Sequence, residues 1–144
     1  MTPLMPERSS ISQPTTTVLV VEPDGDGRAE LIGWLRTAGY ATREADSFED
    51  ARRLLASDPP DVLVAGLRLG AFNGLHLVIT ARAAWPRIRA VLTTSAEDGS
   101  VAEEARLIDV ACLTRPISRE GLLAAVAHGR DSSPDDRRGD LSSS

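Results

Sequence analysis

The sequence predicts an α/β fold in which a parallel sheet of five strands is clothed by helices on both faces, and three observations carry that prediction. Short apolar runs rich in β-branched residues alternate, five times in succession, with segments whose apolar residues recur at helical spacing. Proline, glycine and short polar side chains mark most of the boundaries. The connections are short, and strict alternation with short connections demands right-handed crossovers and a parallel sheet. No internal repeat points to a solenoid instead.

The first strand is Thr17-Val-Leu-Val-Val21, bounded by Pro23 and Gly25, and it reads as covered on both faces. From Asp26 to Ala38, the residues Ala29, Leu31, Ile32, Leu35 and Ala38 mark a helix, which Gly39 can close with a positive φ. Tyr40 to Ala45 is a weaker strand. Ser47-Phe-Glu-Asp50 resembles a capping box and opens a helix that runs to about Ser57. Asp58-Pro-Pro-Asp61 cannot continue that helix, and Val62 to Ala65 follows as a buried strand.

Asn73-Gly74 opens the third helix, which carries Leu75, Val78, Ile79 and Ala83 and stops at Trp85-Pro86. Ile88 to Thr93 is the fourth strand. Val101, Ala105 and Ile108 mark the fourth helix face, and Val110 to Thr114 is the fifth strand. Ser118 caps a last helix through His128, with Gly129 behind it.

The 144 residues, 42% of them hydrophobic, suffice for one domain, expected over 17–129. Residues 1–16 and 130–144 are polar or proline-rich, bury too little to offset the entropy of ordering them, and read as disordered tails. A net charge of -5 argues against a nucleic-acid partner, which calls for a basic face. No run approaches the length of a membrane span or a signal-peptide core, and the single cysteine, Cys112, can build neither a disulfide framework nor a thiolate metal site. A reducing cytoplasm is the expected location. All sixteen basic side chains are arginine, so a lone arginine in place of lysine carries little meaning in this chain.

In an open parallel sheet of order 2-1-3-4-5, the flavodoxin-like three-layer sandwich, ligands bind beyond the carboxyl ends of the strands, beside strands one and three. Those ends deliver Glu22, Pro23 and Asp24; Gly66, Leu67 and Arg68; Thr93 or Thr94; and Arg115-Pro116. Val18-Leu-Val-Val-Glu22, Pro60-Asp-Val-Leu-Val-Ala-Gly-Leu-Arg-Leu69, Asn73-Gly-Leu75 and Leu113-Thr-Arg-Pro-Ile117, in this order and on these elements, resemble the response-regulator receiver (CheY-like) family over about residues 17–129.

The resemblance implies a domain phosphorylated on an aspartate that ends the third strand, with acids at the first strand holding a divalent cation. Carboxylates suit Mg²⁺, which takes hard oxygen ligands, and phosphoryl transfer depends on positioning and charge neutralisation. Here Gly66 stands at the phosphoacceptor position, and no residue from Val62 to Leu67 is an acid or a hydroxyl. The acid pair is matched by Glu22 and Pro23, so Mg²⁺ binding is expected to be weak or absent. Asp24 reads as a solvated helix cap, with replacement of the lost ligand the other role open to it.

Arg115, followed by Pro116, takes the place of the family's lysine, and an ion pair between Arg115 and Glu22 is expected across the crevice. Thr94 or Thr93 matches the switch hydroxyl. Cys112 takes the position of the switch aromatic and reads as a small buried hydrophobe with nothing cationic close by. His76 and His128 are too few for a metal cluster, and Gly25-Asp-Gly27 lacks the rest of a nucleotide fingerprint.

No nucleophile and base are legible together, so an enzyme is not expected. The expectation is a stand-alone pseudo-receiver, a phosphorylation-independent adaptor whose partner is a protein of two-component signalling such as a histidine kinase or another response regulator. Val101, Ala105, Ile108, Leu122, Leu123 and Val126, on the fourth and fifth helices, form the candidate interface, for self-pairing as well. The apolar Leu122 to Ala127 run is equally explained by alanine's helix propensity. A crevice that senses a small ligand is the alternative, and a small enzyme on the same fold a third reading.

Overall fold

The computed structural model describes residues 15–131. Most of the two expected tails, 1–14 and 132–144, lies outside the described residues. Strand β1 (Thr17–Val21) leads to α1 (Gly25–Thr37), β2 (Ala41–Ala45), α2 (Phe48–Ser57) and β3 (Val62–Gly66). A small antiparallel hairpin, β4 (Arg68–Leu69) and β5 (Phe72–Asn73), precedes α3 (Gly74–Ala84) and β6 (Arg89–Thr94). A 3-10 turn (Ala96–Asp98), α4 (Gly99–Leu107), β7 (Ala111–Thr114) and α5 (Arg119–Asp131) complete the chain. The main sheet is parallel, in the order β2-β1-β3-β6-β7. With the hairpin set aside, this is the predicted 2-1-3-4-5 arrangement.

The continuous apolar runs are explained by burial on both sides. Alternate residues of β1 and β3, Leu19, Val21, Leu63 and Ala65, pack with Phe48, Leu55, Leu77 and Val78 of α2 and α3. Their neighbours Val18, Val20, Val62 and Val64 pack with Leu31, Ile32 and Leu35 of α1 and with Leu122 and Val126 of α5. A strand clothed on both faces cannot alternate apolar with polar.

Local signals set most boundaries. The Asp24, Ser47 and Asn73 side chains accept from the backbone N–H groups of Gly27, Asp50 and His76, capping α1, α2 and α3. Gly39 turns the chain out of α1 at φ +100°. Ser118 accepts from Gly121 N at the start of α5.

Four details depart from the sequence reading. Helix α5 runs through Gly129 to Asp131, so this glycine does not close it. Helix α3 turns Leu75, Leu77, Val78 and Ala81 inward, while Ile79 is 51% exposed and Ala83 is also on the surface. Ile108 lies past the end of α4 as its C-cap. The hairpin had no periodicity long enough to announce it. Arg82 on α3 ties the layers together, donating to the carbonyls of Ile88, Ile108 and Asp109, the last at φ +64° in the turn into β7. Among the described residues, no helix is long and apolar enough to cross a membrane.

Candidate functional site

The strand ends converge because of register. Val21 pairs with Ala65, which sets Glu22 beside Gly66, and Gly66 itself pairs with Thr93. Gly66 shares its side of the sheet with Val62 and Val64, and Thr93 shares its side with Val91. Glu22, Gly66 and Thr93 therefore open toward the α1 and α5 side. Arg115, one residue past β7, completes the group.

Glu22 is buried, at 8% exposure, and its Oε1 lies 2.8 Å from a terminal nitrogen of Arg115. The same nitrogen donates to Thr93 Oγ1 at 3.2 Å. Glu22 Oε2 accepts from the backbone N–H of Asp24 at 3.0 Å, and the Glu22 carbonyl accepts from Arg28 at 2.7 Å. The expected ion pair is formed, and both carboxylate oxygens are engaged within the chain. A cavity of about 600 Å³ opens over this cluster, lined also by Glu30, Leu31, Arg68 and Pro116.

Asp24 lies at the rim, and its Oδ2 accepts from Gly27 N at 2.8 Å. It caps α1. A divalent cation needs several oxygen ligands, and of the three carboxylates lining this crevice Glu22 is paired to a guanidinium, Asp24 is engaged in capping α1 and Glu30 is exposed on α1, beside a proline and a glycine that add no side-chain donor. The donor set does not fit such an ion. No cluster of three His, Cys, Asp or Glu side chains that could hold a metal occurs among the described residues.

Of the two threonines, Thr93 faces the crevice. Thr94, one residue on, points to the opposite side of the sheet, where its hydroxyl is buried without a hydrogen-bond partner. Cys112 is on that side too, since it pairs with Leu92 and packs against the α2–α4 core. Burial pushes its thiol up, an effect that the Arg106 charge opposes. Arg106 is thus the cationic neighbour that the sequence reading missed.

Sequence reasoning also missed the partner of Arg68. Asp98 accepts from Ser95 through both the backbone N–H, at 2.9 Å, and the hydroxyl, at 2.8 Å, and from Arg68 at 2.8 Å. Those Ser95 bonds, with help from Arg68, hold the Asp98 carboxyl below its ordinary value. The Ser95–Asp98 capping box was the available signal, because the acid three residues after a hydroxyl is its mark.

The candidate interface needs correction. Ala105, Leu122 and Val126 are each 0% exposed and belong to the core, because the inward stripe of each helix is spent on the sheet. Val101 and Leu123 are partly buried. What remains outside is Ile108, at 39%, with its neighbour Leu107, at 85%.

The family model for the response regulator receiver domain matches residues 18–127. The chain belongs to the response-regulator receiver family. Response regulator MprA of Mycolicibacterium vanbaalenii is 32% identical to this receiver over 127 residues, which cover 85% of this chain and 54% of the relative. The chain thus spans about half the length of that curated relative. A receiver protein structure from Pseudomonas putida is 26% identical, with a TM-score of 0.72 over 80% of this chain and 98% of that one. A CheY-like receiver structure from Methanospirillum hungatei has a TM-score of 0.74 at 16% identity, covering 85% and 99%. At that identity the likeness shows the fold alone.

Proposed function

We propose that this receiver acts in two-component signalling without being phosphorylated, as a cytoplasmic, non-enzymatic adaptor that binds a protein partner. The observation that carries the reading is the Glu22–Arg115 pair lying over Gly66, where a phosphoacceptor carboxylate and a cation would have to sit. With no side chain at Gly66 there is no nucleophile at the end of β3. Output then depends on surface contact, with a kinase or another response regulator as partner, through the exposed Leu107 and Ile108 and the partly buried Val101 and Leu123 on α4 and α5. A second copy of the chain is a further candidate for the same face.

The cavity of about 600 Å³ favours one other reading, a crevice that senses a small ligand. Thermal unfolding in the presence of acyl phosphates, nucleotides or Mg²⁺ separates the two. The adaptor reading expects an unchanged midpoint with every compound, because a ligand stabilises only the state that binds it. A concentration-dependent rise with one of them would overturn the adaptor in favour of the sensor.

A further inference from the structure

The hollow over Gly66 is filled by charges from distant parts of the chain. A Cβ built at Gly66 would lie 3.1 Å from Glu22 Oε1 and 3.6 Å from both the Arg115 guanidinium and Thr93 Oγ1. The first distance is tighter than ordinary packing, and Glu22 has little freedom to yield, since its oxygens are held by Arg115 and by Asp24 N. The missing side chain and the ion pair are therefore linked, because glycine at this position leaves the carboxylate and the guanidinium room to meet.

One guanidinium nitrogen joins three elements: β1 through Glu22, β6 through Thr93, and the segment entering α5 through Arg115 itself. Two residues beyond Thr93, Ser95 is bound twice by Asp98 at the entry to α4, and Asp98 in turn holds Arg68 at the start of β4, two residues past β3. The crevice is thereby connected to the starts of both α4 and α5. Its buried carboxylate and its guanidinium cancel, leaving no net charge at its centre to draw in a cation.

We propose that Glu22, Arg115 and Thr93 form a permanent latch in which Arg115 serves as a built-in cation, holding the crevice and the entries to α4 and α5 in one state that Mg²⁺ does not shift. This inference rests on the adaptor reading and adds how its binding surface is kept constant. A carboxylate introduced at Gly66 would bring two acids together and leave the cluster one charge negative, and that combination does recruit a cation.

The test uses amide and threonine-methyl NMR spectra of the whole chain, with Mg²⁺ alone as the probe, and denaturant unfolding of Glu22→Gln, Arg115→Gln and the double variant. The latch expects no Mg²⁺-dependent shift in the natural chain and clear shifts around Glu22 in Gly66→Asp. It expects either single variant to move the Thr93 methyl and the α4 amides. It also expects the two substitutions to be non-additive by roughly tenfold in the unfolding constant, as for contacting partners. Arg115→Lys, which keeps the charge but not the fork, should restore only part of that coupling. Should Glu22→Gln fail to fold, the half-exposed Arg115→Gln alone supplies the Thr93 and α4 readout. Additive variants, or Thr93 and α4 signals unmoved by Arg115→Gln, would overturn the latch while leaving the adaptor reading intact. Mg²⁺-dependent shifts at Glu22 in the natural chain would overturn it as well. Covalent phosphate on the natural chain would instead defeat the adaptor reading itself.

Discussion

Gly74 shows how a single residue positions this site. Its amide donates to the Leu67 carbonyl at 2.7 Å, and a Cβ there would fall 2.2 Å from the Gly66 carbonyl oxygen and 2.9 Å from a Leu92 methyl. Only glycine lets the start of α3 approach the end of β3 so closely. Gly74→Ala should cost about 1–3 kcal/mol through this overpacking, measured as a lower urea midpoint, and an unchanged midpoint would contradict the contact. The sequence marked Gly74 as part of a helix start, but the close approach belongs to tertiary packing and leaves no trace in local pattern. The two threonines behave similarly. Both end β6, and only the pairing of Gly66 with Thr93 decides which of them meets the crevice. Glu22, Gly66 and Arg115 were legible because each occupies a strand end that the alternating pattern alone locates.

Among elements, the turn between β6 and α4 carries the clearest electrostatic consequence. The Asp98 carboxyl is held below its ordinary value of 3.8, chiefly by the Ser95 backbone bond. A carboxyl whose pKa is lower folded than unfolded supplies stability that is complete above the unfolded value and disappears as pH falls through the folded one. Asp98→Asn should therefore be less stable than the natural chain at neutral pH, and the gap should close as pH drops below about 3.8. Parallel denaturation curves at several pH values check this, and a gap independent of pH would contradict it. The caps at Asp24, Ser47, Asn73 and Ser118 were readable in advance because a capping bond spans two or three residues. Helix faces were less so. In α3 the choice between Ile79 and Leu77 depends on which side meets the sheet, and an α3 with so many apolar residues offers the sequence no contrast. The same limit placed Ala105, Leu122 and Val126 on a candidate interface when they are core.

At the scale of the whole molecule, strand order and layering followed from alternation and handedness, which are global constraints that short sequence runs express directly. The site sits where such a sheet must put it, beyond the carboxyl ends of β1 and β3. The Glu22–Arg115 pair, 93 positions apart, was expected from the strand ends, and what could not be read in advance was that the same guanidinium nitrogen also binds the Thr93 hydroxyl. The fold is thus that of a receiver, and the proposed difference in function lies in a few atoms at its centre. The most direct measurement is the intact mass of the natural chain after incubation with a small phosphodonor and Mg²⁺, beside Gly66→Asp treated identically. The account predicts no phosphate on the natural chain. A stoichiometric, acid-stable and base-labile adduct would mean that another carboxylate, Glu22 or Asp24 foremost, accepts the phosphoryl group, and would contradict it.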